Sequence, residues 1–218
     1  MQALQSFTVV LSAPSGTGKG TLIKRVRESN SSIRFSVSTT TRQKREGETD
    51  GLDYDFVTPE VFHRMRRKGL FVEWAQVHGN WYGTSYKSFE KARSIPGILI
   101  LEIDVQGARL IGDKYPDVHT VFVLPPSRGE LETRIRNRST ETEETINTRL
   151  SNAVEEIREA ENFDWWIVNR TVDQAAEDFL HLLNLLVEGK NVPCDEFRCE
   201  AVYNRVRRTF SEIRTFSS

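Results

Sequence analysis

The stretch Ala13-Pro14-Ser15-Gly16-Thr17-Gly18-Lys19-Gly20-Thr21 directly follows the apolar run Phe7-Thr8-Val9-Val10-Leu11. A strand that runs into a glycine-rich turn and then a helix directs backbone N–H groups at a polyphosphate, and the helix N-terminus adds its positive end. Lys19 supplies a mobile point charge for β and γ phosphates, and Thr21 can offer a hydroxyl to a phosphate. Two positions depart from the common form G-x-x-x-x-G-K-[ST]: Ala13 stands for the first glycine and Gly20 for the usual hydroxyl. That hydroxyl often binds Mg²⁺ directly, so the metal is expected to be held mainly through phosphates and waters. The chemistry expected of this loop is the binding of a nucleoside triphosphate.

A second set of residues points to a phosphate monoester. In Ser38-Thr39-Thr40-Thr41-Arg42-Gln43-Lys44-Arg45-Glu46-Gly47, with Tyr54 just beyond, two arginines stand three apart among hydroxyls. Forked guanidinium groups with hydroxyl neighbours can hold a phosphate from several sides. Alone, such a loop reads more readily as a solvated basic surface. It is followed, however, by Phe71-Val72-Glu73-Trp74-Ala75, by Asn80-Trp81-Tyr82-Gly83-Thr84 and by Leu101-Glu102-Ile103-Asp104-Val105-Gln106-Gly107.

The elements that must position these groups alternate along the chain. Apolar runs at Thr8–Leu11, Arg34–Ser38, Ile98–Ile103, Thr120–Val123 and Trp165–Val168 predict strands covered on both faces. Helices are expected from Lys19, Pro59, Ser85, Val105, Ser127, Thr142 and Thr171. Thr58-Pro59 supplies a cap followed by proline, and Ser127-x-x-Glu130 and Thr171-x-x-Gln174 read as capping boxes. In the last helix Val172, Ala176, Phe179, Leu180, Leu183 and Val187 form one stripe, closed by Gly189. This order predicts an α/β fold, a parallel sheet flanked by helices.

Two stretches break the alternation. Residues 38–91 read as a small mixed β insertion with one helix, while Arg134–Arg149, charged and poor in large apolar groups, suits an exposed mobile segment. Val202–Ile213 could form a basic amphipathic helix of unknown placement, and the pair Trp165-Trp166 reads as core packing.

Composition sets the outer bounds. The 218 residues are 38% hydrophobic with a formal net charge of −1, which suits one α/β domain with small insertions and gives no general attraction to nucleic acid or membrane. No apolar run approaches the roughly 20 residues that span a bilayer, and no basic-then-apolar leader opens the chain, so a cytoplasmic location is expected. Cys194 and Cys199 have no second ligand pair near them and read as passive thiols, and the four histidines show no ligand spacing.

Over residues 7–188, in order, the motifs quoted above make the chain resemble the guanylate kinase family, in its bacterial form. The family's helix-opening loop also occurs as GKG[ST], which covers Gly20. The resemblance implies a P-loop nucleoside-monophosphate-kinase fold in which ATP phosphorylates GMP, and also dGMP, with Mg²⁺, giving ADP and GDP. It implies a kinase domain at 1–188: a core at 1–37, 92–126 and 150–188, a GMP-binding insertion at 38–91 and a helical lid at 127–149. Residues 189–218 would form an extension of unknown role.

Carried over by position, Ser38 and Glu73 would face the guanine, Glu73 accepting from N1–H and the 2-amino group, and Thr84 would contact the base. Arg42, Arg45, Tyr54 and Tyr82 would hold the GMP phosphate. Asp104 and Glu102 would sit near the GMP ribose and the metal's waters. Ala13 to Thr21, with Lys19, would bind ATP, joined by Arg134, Arg138 and Arg149 from the lid and by Asn169 on the adenine side. Lys19, Arg42, Arg138 and Arg149 would be the catalytic cations. Two rivals stand beside this reading. One is a non-catalytic interaction module, against which Lys19, Arg138 and Arg149 argue. The other is a different nucleoside monophosphate kinase, against which Glu73 with Ser38 argues.

Overall fold

Strands form where the apolar runs lie, and several of the helices start at hydroxyl or carboxylate caps. The computed structural model describes residues 6–77, 79–138, 142–198, 203–204 and 206–208. In chain order these give β1 (Phe7–Ser12), α1 (Lys19–Ser29), β2 (Ile33–Phe35), β3 (Ser38–Thr40), β4 (Tyr54–Phe56), α2 (Pro59–Arg67), β5 (Phe71–Val77), β6 (Asn80–Ser85) and α3 (Tyr86–Arg93). There follow β7 (Ile98–Glu102), α4 (Val105–Lys114), β8 (His119–Leu124), α5 (Arg128–Arg138), α6 (Glu143–Arg158), a 3-10 turn at Glu159–Asn162, β9 (Trp165–Val168), α7 (Val172–Val187) and α8 (Cys194–Phe197). They group into two compact units, one drawn from Met1–Leu11 and Ser31–His119, the other from Ser12–Asn30 and Thr120–Ser218.

In the first unit β1 and β2 both run parallel to β7, with Val9 opposite Ile100 and Phe35 opposite the same residue on the other side. Val9, Val10, Leu11, Leu99, Ile100 and Leu101 are fully buried, as strands covered on both faces require. A second, mixed sheet runs in the order β4-β3-β6-β5. Here β3 and β4 are parallel, and β6 is antiparallel to both β3 and β5.

One expected strand, Arg34–Ser38, is in fact two. β2 stays with β7, and the Ser36 amide still donates to the Ile100 carbonyl at 2.9 Å. The Val37 carbonyl then accepts the Ser88 hydroxyl from α3 at 2.9 Å, and the chain enters the mixed sheet as β3. Ile33, Phe35 and Val37 keep alternating with polar residues through the half-buried link, so nothing in the sequence marks the change of sheet.

In the second unit β8 and β9 are parallel, and α1 packs on α7. The buried stripe of α7 is Ala175, Ala176, Phe179, Leu182 and Leu183; Val187, expected in it, is exposed at the helix end, and Leu182 takes its share. Caps act as read: Glu130 and Gln174 amides donate to Ser127 Oγ and Thr171 Oγ1 at 3.2 and 3.3 Å. Most described residues of Arg134–Arg149 are exposed, as its charge suggests, but Ile135 and Ile146 within it are buried. Leu131 and Ile135 on α5, and Ile146 and Leu150 on α6, are buried pairs four residues apart, so sparse apolar groups still make a stripe on each helix.

Some described residues past Gly189 join this unit's core. Phe197, Tyr203 and Val206 are buried, and the Tyr203 ring lies 4.8 Å from that of Trp166 at 30°. The Tyr203 hydroxyl donates to the Arg158 carbonyl at 3.4 Å, at the end of α6, and Arg207 pairs with Glu161 at 2.7 Å. Burial first, and then Glu161, push the Tyr203 hydroxyl up to about 12. Trp166 donates its indole N–H to the Ala160 carbonyl at 2.7 Å, so this member of the pair packs in the core as expected. Of the helix expected at Val202–Ile213, residues 203–204 and 206–208 are described and are helical. Cys194 is a free, exposed thiol, while Cys199 lies outside the described residues. Removing the buried ring by Tyr203→Ala should lower unfolding free energy by about 3 kcal/mol. Urea denaturation measures this; a change below about 0.5 kcal/mol, the scale of surface substitutions, would mean the segment does not hold Trp166.

Candidate active site

The turn between β1 and α1 is built from backbone conformations that exclude most side chains. Gly18 caps α1 with φ 97° and ψ 19°, a left-handed conformation, and a Cβ there would lie 2.8 Å from Asn169 Nδ2. A Cβ at Gly16, at φ 86°, would lie 2.5 Å from Ile135 of α5. The first intrahelical bond of α1 runs from the Leu22 amide to the Gly18 carbonyl. The amides ahead of it stand at the positive end of the helix, and no acidic residue occupies the first turn to compete for them.

Side chains of the same unit hold this turn from outside. Asn169 Nδ2 and Arg134 Nη1 both donate to the Thr17 carbonyl, at 2.7 and 3.1 Å. Arg134 is itself set by Glu130, 3.0 Å away, and donates through Nη2 to the Arg170 carbonyl at 3.1 Å. Arg149 donates to Ser15 Oγ through Nη2 at 3.1 Å, and the Ser15 amide donates to Glu156 at 3.1 Å. Arg134, Arg149 and Asn169 are thus brought onto the turn. Arg138 closes α5, and its side chain lies outside the described residues. Arg136 points elsewhere, to Glu132 and Glu143.

In the first unit the residues singled out from the insertion converge. Glu73 and Thr84 face each other across β5 and β6, and a bulge between Phe71 and Glu73 shifts the pairing there. Bulges re-aim side chains, and here Glu73 is only 4% exposed, whereas Trp74 beside it is 40% exposed. Glu73 Oε1 accepts the Thr84 amide at 2.8 Å, and the Ser38 and Thr84 hydroxyl oxygens are 3.5 Å apart. Asp104 caps α4 through the Gly107 amide at 2.7 Å.

Arg42 lies over the rings of Tyr54 and Phe56 at 5.3 and 5.7 Å. Its Nη1 and Nη2 donate to the two oxygens of Glu48 at 3.0 and 2.7 Å. The Tyr54 and Tyr82 rings meet edge to face at 6.1 Å. Burial, then the negative charge of Glu102, raise the Tyr54 hydroxyl well above its ordinary range. The hydrogen bond with Arg42 is the main cause that holds the Glu48 carboxyl below its usual range. Arg45 joins through its backbone, its amide donating to Glu48 at 2.7 Å, while its side chain is exposed.

One unit therefore presents a helix-opening anion turn ringed by arginines, and the other a buried carboxylate beside hydroxyls with an Arg-Tyr cluster. A family model for guanylate kinase matches residues 5–185. The chain belongs to the guanylate kinase family.

Its similarity to guanylate kinases runs the length of the matched region. That of Nitratidesulfovibrio vulgaris is 50% identical over 172 residues, 79% of this chain and 83% of that protein. That of Syntrophotalea carbinolica is 48% identical over 180 residues, 83% and 85% respectively. The crystal structure of guanylate kinase from Anaplasma phagocytophilum superposes with a TM-score of 0.68 at 31% identity, covering 95% of this chain and 97% of that one. The α/β kinase fold expected from the motifs is thereby established, with the mixed sheet as a separate element.

Two positions in these clusters were not singled out by sequence. Glu156 stands seven residues after Arg149, two turns along one helix face, a spacing that was readable. Glu48 lies in the basic loop and looked like part of its solvated charge. It occupies the Nη1/Nη2 edge of Arg42. Glu48→Gln should therefore loosen Arg42 and weaken GMP binding about tenfold, with ATP binding unchanged. Calorimetric titration checks this; tighter GMP binding in the variant would show that Glu48 competes with the phosphate instead.

Proposed function

We propose that this guanylate kinase family member transfers the γ-phosphoryl of ATP to GMP, and to dGMP, for guanine nucleotide synthesis and recycling. The observation that carries the reading is the buried Glu73 carboxylate, held by the Thr84 amide, with the Ser38 hydroxyl against that of Thr84, in the same unit as the Arg42–Tyr54–Tyr82 cluster. A carboxylate accepts two parallel hydrogen bonds from N1–H and the 2-amino group of guanine. Adenine has no such donor pair on that edge, and leaving a buried acid unmatched can cost factors of about 10⁴ in selectivity.

In this reading Ser38, Glu73 and Thr84 bind the base, Arg42, Arg45, Tyr54 and Tyr82 hold the GMP phosphate, and Glu102 and Asp104 face the ribose. Residues 13–21 wrap the ATP phosphates, with Lys19 on the β and γ groups and Asn169 on the adenine side. Residues 127–149 act as the lid that carries Arg134, Arg138 and Arg149, and residues 38–91 as the GMP-binding insertion. A GMP phosphate oxygen attacks the γ-phosphorus in line as the bond to ADP breaks, and no covalent protein intermediate forms. Neutralising the spread negative charge is the main task, which suits a site of arginines and one lysine.

Mg²⁺ would be carried by the ATP phosphates and waters. Among the described residues no group of three or more His, Cys, Asp or Glu forms a cage, and Gly20 replaces the metal-binding hydroxyl. This donor set fits an ion that keeps several waters, and the ion would supply further charge neutralisation. ATP and GMP are metabolites of the cytoplasm, which supports placing the enzyme there. Among the described residues no helix is long and apolar enough to cross a membrane.

A coupled assay of ADP release with GMP, AMP, UMP and dTMP as acceptors tests the assignment. GMP should exceed each of the others in kcat/KM by at least about a thousandfold. Comparable rates with AMP would overturn it.

A further inference from the structure

Gly107 lies in the first turn of α4, three residues past its Asp104 cap, and is buried. A Cβ built on it would come 2.6 Å from Glu73 Oε2 and 3.1 Å from the Glu73 carboxyl carbon. No real methyl group tolerates such a distance, so one of the two must move. The far end of Glu73 is the part able to yield, but it is anchored through Oε1 on the Thr84 amide at 2.8 Å. On the other side of the same point Asp104 Oδ1 stands 3.3 Å away. The Glu73 carboxylate is thus held between a backbone donor on β6 and the bare Cα of a helical glycine.

From this juxtaposition we infer that Gly107 is a specificity-determining, positioning residue: the missing side chain at this helix position is what lets Glu73 present its carboxylate in the guanine-reading pose. The inference rests on the assignment of Glu73 to guanine. An ionised carboxylate offers about four lone-pair directions. One is taken by the Thr84 amide, and the pair used for guanine must remain coplanar with the base. A methyl group at Gly107 would turn or withdraw the carboxylate and break that pairing. The backbone itself gains, since alanine is the better helix former and Gly107 has no positive φ to relieve.

The test is a double-mutant cycle of Gly107→Ala and Glu73→Gln, read by KM and kcat for GMP and for ATP, by the GMP-to-AMP ratio of kcat/KM, and by melting temperature. Gly107→Ala should raise KM for GMP about tenfold or more and lower the GMP-to-AMP ratio, with KM for ATP within about twofold and the melting temperature held. In the Glu73→Gln background, where the charged reader is already gone, adding Gly107→Ala should cost less than about threefold, because the two changes share one cause. Fully additive losses, equal rises in KM for both nucleotides with a lower melting temperature, or an unchanged KM for GMP would each overturn the inference. Full GMP preference in Glu73→Gln alone would instead refute the guanine assignment, and the inference with it.

Discussion

An ionised carboxylate buried in a protein is tolerated only where donors meet it, and the first unit is arranged around that demand at Glu73. Strict alternation along β5 would not by itself give three successive buried residues, Phe71, Val72 and Glu73, before exposed Trp74. The bulge between Phe71 and Glu73 supplies the change of phase and sets Glu73 opposite Thr84. Thr84 then provides the backbone donor, β3 brings Ser38 against the Thr84 hydroxyl, and α4 presents a glycine where any side chain would intrude. Three separate segments are therefore committed to one functional group. A buried acid whose surroundings leave room for a partner with two matching donors is a selectivity device as much as a binding group.

The phosphate-handling residues obey a related rule. Loose arginines bind anions, but oriented ones do so with less entropy lost, and Arg42, Arg134 and Arg149 are each held by an acid, a carbonyl or a hydroxyl. Glu48 fixes Arg42 end-on, Glu130 fixes Arg134, and the Ser15 hydroxyl accepts from Arg149 while the Ser15 amide donates to Glu156. The Thr17 carbonyl is gripped twice, by Asn169 and Arg134, while the Ser15 amide donates to Glu156 and the Thr17 amide to the Pro14 carbonyl, so the turn is pinned from several sides. Phosphoryl transfer is accelerated chiefly by position and by preorganised charge, so such scaffolding contributes directly to rate.

Much of this was legible in the residues. The helix starts at Thr58-Pro59, Ser127 and Thr171 are readable as caps, and the Val61, Glu130 and Gln174 amides donate to those hydroxyls. Ser85, Asp104 and Thr142 also cap their helices, whereas α1 opens on Gly18 without a side-chain cap. The places of Arg42, Tyr54, Tyr82, Glu73 and Thr84 came from the family resemblance; Arg42, Tyr54 and Tyr82 lie together, and Glu73 meets Thr84. What stayed hidden depended on tertiary partners. The passage from β2 to β3 is invisible because the alternation of Ile33, Phe35 and Val37 with polar residues runs on across the change of sheet. Gly107 looked like one letter of a helix start, since its reason for being glycine is a side chain 34 positions earlier. Tyr203 and Val206 sat in a stretch of weak pattern, and their burial is decided by Trp166 and the end of α6.

The central claim is that Glu73 reads two donors on guanine, and it is tested most directly by titrating the protein with GMP and with inosine monophosphate. The second ligand keeps the N1–H but lacks the 2-amino group, so it removes one of the two hydrogen bonds and nothing else. A charge-assisted bond of this kind is worth roughly 1.5–3 kcal/mol, so inosine monophosphate should bind about 10- to 150-fold more weakly than GMP. Equal affinity for the two nucleotides would contradict the account.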